Sequence, residues 1–315
     1  MTDSTDDLLR RLIDGDPSLG IISDASPQHR KRLATAFYIE HESAQEAGVL
    51  AYQARLLVQC SLPYRQQPTN EWTRRNGGVT LTIMAPSAIG LPYGAYPRLL
   101  LSWVTTEAVR TQSRHIDLKY SLTRFMAELG ISSHAKGPQI RRFQDQTRRL
   151  FASTITTYRN QLVGDSDYAD EVFRYEGFTL ADKATLWWTP KRSTVHEVTL
   201  TLSEKFYETL TGHPVPLDQR ALKALKGSAL ALDIYSWLLH RLSYLKKPTT
   251  IPWELLRIQF GGEYADTKQG RYEFKRTFRA QLAEVLRLYP EAKVTADQQG
   301  LTLIPSRLAI HRRLD

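Results

Sequence analysis

The period of apolar and polar positions changes several times along the chain, and each change marks an expected element. Residues 28–47, QHRKRLATAFYIEHESAQEA, allow one amphipathic helix. GVLAYQARLLVQCSLPY (48–64) and GGVTLTIMAP (77–86) read as strands, the second alternating at Val79, Leu81 and Ile83. RQQPTNEWTRRN between them reads as a polar loop, and the turn-rich GLPYGAYP (90–97) closes this region.

Beyond it one order of elements is written twice. RLLLSWVTTEAVRTQ (98–112) is an apolar helix, HIDLKYS (115–121) a short strand and LTRFMAELG (122–130) a second helix. After the turn ISSHAKG, a helix opens at PQIRRFQ and is expected to run to about Asn160. EVFRYEGFTLADKATLWWTP (171–190) then gives two strands around a turn at Ala181–Lys183. HEVTLTLSEKFYETLTGHPVPLD (196–218) connects to the second copy. That copy comprises the helix SALALDIYSWLLHRLSYL (228–245), the strand PTTIP (248–252) and the helix WELLRIQFG (253–261). It continues with a turn, the long helix RYEFKRTFRAQLAEVLRLY (271–289) and a hairpin over 292–305 turning at Asp297–Gly300. The order is that of a helix-turn-helix followed by a β-hairpin wing. The expected fold is α+β, with two tandem winged-helix domains behind an N-terminal extension. Its boundaries are an acidic mobile tail at 1–27, a helix and strands at 28–90 that pack on the first module, and domains at 91–200 and 201–315.

Charge sharpens this picture. The 315-residue chain carries 42 Lys and Arg against 33 Asp and Glu, a net +9 that suits a polyanionic partner. The excess is local. Residues 1–27 hold six Asp against Arg10 and Arg11, whereas 136–149 and 268–287 each carry +4. In the first basic helix Ile140, Phe143, Thr147, Leu150, Thr154 and Tyr158 fall on one stripe, with Arg141, Arg142, Arg148 and Arg149 on the other side. In the second, Phe274, Phe278, Leu282, Val285 and Tyr289 form the stripe. Arg271, Lys275, Arg276 and Arg279 flank it, with Lys268 in the preceding turn. These cations crowd the N-terminal half, the half of a recognition helix that enters the major groove. Each Arg alone fits a solvated surface charge equally well. As a cluster they fit phosphate gripping or paired hydrogen bonds to guanine.

The remaining chemistry is thin. The eight His (29, 41, 115, 134, 196, 213, 240, 311) never adopt the close spacing of an HUH nuclease, and no GxxxxGK[ST] loop occurs. The single cysteine, Cys60, rules out an intramolecular disulfide and a cysteine-rich zinc site, and points to a reducing cytosol. Trp103, Trp187, Trp188 and Trp237 fit core packing, while Trp72 sits in a polar loop. No apolar run is long enough to span a bilayer, and the acidic N-terminus lacks a signal-peptide core. A cytoplasmic protein with no catalytic constellation, cofactor or metal is expected.

GLPYGAYPRLLLSWVTTEAVRTQSRHIDL, SLTRFMAELGI, RRFQDQTRRLFASTI, LTLSEKFYETLTGHPVPLD and ALALDIYSWLLHRL together resemble plasmid replication initiators of the RepA/TrfA type. The resemblance spans roughly residues 48–290. It implies two winged-helix domains that bind double-stranded DNA at directly repeated sites (iterons) in a plasmid origin. It also implies opening of an adjacent AT-rich segment and recruitment of host proteins, the initiator and the replicative helicase among them. Monomers of related initiators bind iterons, and a homodimer in equilibrium with them often represses. A transcriptional repressor on the same architecture is the alternative. A dimerisation or host-partner role for the first basic face, or for residues 1–90, is a third reading.

Overall fold

In the computed structural model the described residues are 26–118, 122–131, 137–163, 170–186 and 198–308, with Asp14 and Ile310. Over these the chain forms ten helices and twelve strands in four antiparallel sheets. The N-terminal region comprises α1 (Pro27–His41), β1 (Leu50–Ala54), α2 (Arg55–Gln59), β2 (Glu71–Asn76) and β3 (Val79–Met84). The first repeat follows as α3 (Ala95–Thr111), β4 (His115–Leu118), α4 (Leu122–Glu128), α5 (Gly137–Phe151), β5 (Thr154–Val163), β6 (Asp170–Thr179), β7 (Ala181–Thr185) and β8 (Val198–Leu202). A connector of α6 (Glu204–Gly212), β9 (Pro214–Asp218) and α7 (Gln219–Leu225) leads to the second repeat. That repeat is α8 (Ala229–Leu242), β10 (Thr249–Pro252), α9 (Trp253–Phe260), α10 (Lys268–Leu288), β11 (Lys293–Ala296) and β12 (Gly300–Ile304).

The repeats share more than their order. In the first, the three-stranded sheet runs β4-β8-β7; in the second it runs β10-β12-β11. In both, the short strand between the first two helices pairs with the last strand of the repeat, which lies in the centre. A chain of rings also recurs. Trp103 meets Phe125 edge-on at 4.8 Å and Phe125 meets Phe143 at 5.8 Å. Trp237 meets Phe260 at 5.5 Å and Phe260 meets Phe278 at 5.5 Å. Each chain stitches the apolar helix to the two helices after it, at centroid distances where offset or edge contacts add to the burial.

Several expectations are corrected. α5 stops at Phe151 rather than near Asn160, so Thr154 and Tyr158 lie on strand β5. The run TITTYR, rich in β-branched residues, favours a pleated surface over a continued helix. The wing of the first repeat is not a hairpin turning at Ala181–Lys183. β6 pairs with β5, β7 pairs with β8, and Ala181–Lys183 carries a register shift inside β7. The β5–β6 hairpin is therefore an insertion between α5 and the wing, and β2 and β3 extend it into the sheet β2-β3-β5-β6. Only Leu50–Ala54 of residues 48–64 is a strand, since the chain turns into α2 at Arg55. The expected loop 65–76 contains β2, and Trp72 donates its Nε1–H to the Ser61 carbonyl at 3.3 Å. The tail at 1–25 apart from Asp14, the turn at 132–136, and Trp187 and Trp188 lie outside the described residues.

The N-terminal region divides between the repeats. β2 and β3 join the first, whereas α1 lies against α7 and α10. There Arg32 pairs with Glu284 at 2.5 Å, and Arg220 donates to the carbonyls of Tyr38 and Glu42. β1 pairs with β9 across the middle of the molecule. One apolar cluster runs from Ala51 through both repeats to Leu303.

Inside that cluster Arg98 of α3, 4% exposed, meets Asp233 of α8 with two parallel hydrogen bonds of 2.7 and 2.8 Å. Its remaining donors go to the carbonyls of Gly94, Leu62 and Pro63. Burial alone would lower the pKa of this guanidinium, but Asp233 outweighs it and holds the group above its ordinary range. Arg98→Met strands Asp233 and is expected to cost about 3–5 kcal/mol in urea unfolding. Arg98→Met with Asp233→Leu should recover most of that loss; a double variant no better than the single one would place the cost elsewhere. Cys60, also buried here, has its thiol pushed up to about 12 by burial, against a smaller opposing pull from Arg74. It should resist iodoacetamide at neutral pH until the chain unfolds.

Candidate nucleic-acid interface

The expected reader in the second repeat begins with a tight turn. Gly261 closes α9 by donating its N–H to the Arg257 carbonyl at 2.7 Å, and Thr267 caps α10 by accepting the Gly270 N–H at 3.1 Å. Gly270 is buried where α10 passes under the turn; a Cβ there would overlap the Ala265 carbonyl. Phe274, Phe278, Leu282, Val285 and Leu288 then fix one face of α10 to the core, and the opposite face is left to solvent. The expected stripe residue Tyr289 is buried too, just past the helix end.

The five expected DNA-binding cations of this repeat fall into three groups. Lys268 and Arg276 are exposed and make no ion pair or hydrogen bond among the described residues. Arg271, 56% exposed, lies 3.3 Å from Asp266, which also holds Arg257 at 3.2 Å. Lys275 and Arg279 are tied to the β11–β12 hairpin, the expected wing. Lys275 donates to the Gln298 carbonyl at 3.3 Å and sits 4.9 Å over the Trp253 ring, while Arg279 donates to the Ala296 carbonyl at 2.7 Å.

The wing is built to receive these bonds. Its tip is a turn in which the Asp297 carboxylate accepts the N–H groups of Gln299 and Gly300 at 2.8 and 3.0 Å. Those bonds, with a smaller contribution from Lys275, keep the carboxyl below its usual range. Trp253 donates its Nε1–H to the Asp297 carbonyl at 3.0 Å. The first residue of α9, the middle of α10 and the wing tip thus form one unit. Tyr272, 62% exposed and one turn before Arg276, was missed by sequence reasoning, which assigns aromatics to cores by default. Its place off the Phe274–Phe278 stripe was the available signal.

In the first repeat the expected cations separate as well. Arg141, Arg142 and Arg148 are exposed on α5. Arg149 is not: it donates to Asp145 at 2.7 Å and to the Leu91 carbonyl at 3.4 Å, with its guanidinium 5.7 Å from the Tyr93 ring. Gln146, buried beside it, accepts the Tyr93 N–H at 2.8 Å. The C-terminal half of α5 is therefore a dock for the 90–93 turn. The structure brings Arg141 and Arg142 together near the helix start and takes Arg149 away from them.

Comparison with known proteins adds two findings. A family described as plasmid-encoded RepA protein matches residues 91–254, from the 90–93 turn into α9. Domains 2 and 3 of RctB, in a crystal structure of the selenomethionine form, have 12% identity and a TM-score of 0.52. That likeness covers 82% of this chain and 97% of that one, and it is one of fold. A second crystal structure of RctB domains 2–3 has 10% identity and a TM-score of 0.47, over 78% of this chain and 94% of that one. No functionally curated protein matches.

The turn geometry gives a direct check. Gly270→Ala should destabilise the fold by about 1–3 kcal/mol, because backbone rather than a movable side chain blocks the new methyl. Gly212→Ala at the end of α6, where an added Cβ meets nothing within 4 Å, should leave the melting temperature level or slightly higher. Equal melting temperatures for the two variants would show that the α9–α10 turn tolerates what its packing says it cannot.

Proposed function

The chain belongs to the plasmid-encoded RepA family, the family of plasmid replication initiators, and from that premise we propose that it binds directly repeated sites in its plasmid origin through two winged-helix modules. The observation that carries this reading is the first half of α10. It presents Lys268, Arg271 and Arg276 outward while Lys275 and Arg279 fix the wing beside it. A recognition helix enters the major groove by its N-terminal residues, and a wing fixed to that helix reaches the neighbouring backbone in one orientation only.

In this reading Arg276 and Arg271 face the groove, Lys268 meets a phosphate at the helix start, and Tyr272 packs on sugar or a thymine methyl. Arg141, Arg142 and Arg148 grip a second stretch of backbone, which two successive major-groove faces about 10 base pairs apart would supply. Binding strains the adjacent AT-rich segment toward opening, and the bound chain recruits the host initiator and replicative helicase. The chain performs no covalent chemistry in this scheme; binding free energy does the work.

Binding of a duplex that carries the origin repeats, measured across a salt series, tests the assignment. Lys268→Ala with Arg276→Ala should weaken binding and lower the salt slope by about 0.9 for every phosphate the variant no longer neutralises. Arg149→Ala should leave the slope unchanged and lower the melting temperature instead. An unchanged affinity in the first variant would remove α10 from the interface, and a lowered slope in the second would return Arg149 to it.

A further inference from the structure

The direction of α1 fixes where the helix starts on the surface. Residues 1–25 carry Asp3, Asp6, Asp7, Asp14, Asp16 and Asp24 against Arg10 and Arg11, and they join the described chain at Ser26. The carbonyls of Tyr38 and Glu42, at the far end of α1, accept hydrogen bonds from Arg220 at the start of α7. Nearer its beginning, Arg32 pairs with Glu284 of α10, and Lys31 lies close to Lys226, just past the end of α7. α1 therefore runs antiparallel to α7, and its N-terminus opens beside Lys226 and α10.

Three lysines gather there. Lys226 donates to the Gly130 carbonyl of the first repeat, and the stem of Lys223 covers Gly130 so closely that a Cβ on that glycine would meet it at 2.7 Å. Burial first, and then mutual repulsion with Lys31 and Lys223, hold the Lys226 ammonium below its ordinary range. Glu128 alone acts in the opposite direction, on Lys223. The seam is positive and lies where the end of α7 meets Gly130 of the first repeat. From Glu284 back to Arg276 is two turns of helix, about 12 Å. Asp24 is three residues from the start of α1, and Asp16 and Asp14 can extend up to about 40 Å from it.

We propose that residues 1–25 dock as an intramolecular anion on the Lys31–Lys223–Lys226 seam and reach from it to the basic half of α10, where they compete with DNA phosphates for the cations of that helix. The proposal rests on the reading of α10 as the DNA-facing helix. A tether of this length holds the competing carboxylates at an effective concentration of the order of millimolar. Weak ion pairs then suffice to shift DNA binding without abolishing it.

The test is a fluorescence-anisotropy titration of a labelled mixed-sequence DNA duplex with the full-length chain. Asp3→Asn, Asp6→Asn, Asp7→Asn, Asp14→Asn, Asp16→Asn and Asp24→Asn together should tighten binding roughly tenfold at low salt, the yield of a few exposed ion pairs, and by much less at high salt. In a chain already carrying Lys223→Gln and Lys226→Gln, the same six changes should add little, because the docking seam is gone. No tightening overturns the proposal. Equal tightening with and without the seam lysines also overturns it, since that reports net charge rather than docking. Weaker binding on removing the seam lysines from the Asn-substituted chain makes the seam a phosphate-binding surface and overturns the docking. If Lys268→Ala with Arg276→Ala leaves duplex binding unchanged in the Asn-substituted chain, the assignment of α10 fails, and the tail's effect is then judged by the other arms alone.

Discussion

A guanidinium buried between two apolar helices sets the relation of the two repeats. An ion of this kind costs several kcal/mol to desolvate, and only full pairing with good geometry offsets the cost. Arg98 finds that pairing in one arrangement: α3 and α8 side by side with Asp233 opposite, and the chain at Leu62–Pro63 folded back to supply carbonyls. Sliding either helix by a turn would strand a charge inside a continuous apolar core. The joint is specific because its error states are expensive, whatever its net contribution to stability.

The same joint holds a second buried guanidinium under different terms. Arg74 of β2, 6% exposed, lies 4.4 Å over the Trp72 ring and against Gly262, and its Nε and Nη2 have no hydrogen-bond acceptor among the described residues. Burial draws its pKa below the ordinary value. The Tyr64 hydroxyl nearby is likewise buried without a partner among those residues, and burial raises it well above the usual phenol range. Arg98 locks the helices, while Arg74 marks the place where the inserted sheet meets the α9–α10 turn at a cost in unmet polar groups. A side chain at Gly262 would displace the guanidinium from this place.

Much of this was legible in the sequence, and the part that was not shares one cause. Periodicity and breakers locate α3, α4, α8, α9, α10 and the β11–β12 hairpin to within a few residues, because each is determined by neighbours close in the chain. The run 154–163 could not be read as a strand from α5 alone: its partners are β3, some seventy residues earlier, and β6. The strand character of 71–76 hides behind polar residues for the same reason, as β2 has only one covered face. Among the site residues, charge and position on the helix identified Lys268, Arg271, Arg276, Arg141, Arg142 and Arg148 as outward cations. They could not separate these from Arg149, Lys275 and Arg279, which bond to carbonyls supplied by tertiary structure.

That separation changes how the two basic helices compare. Ring for ring, Phe143 stands where Phe278 stands, so Arg141 and Arg276 occupy equivalent positions just before the central phenylalanine. By the same count Lys136 matches Arg271, seven residues before that phenylalanine in the sequence. Of the others, Arg149 holds a turn, Lys275 and Arg279 hold the β11–β12 hairpin, and Lys268, Arg142 and Arg148 stay exposed. In the first repeat the interval between α5 and β7 has instead been filled by a hairpin that recruits β2 and β3. The second repeat ties α10 and the β11–β12 hairpin into one piece. The first has a larger sheet in that place, and Arg141, Arg142 and Arg148 stay exposed on its helix.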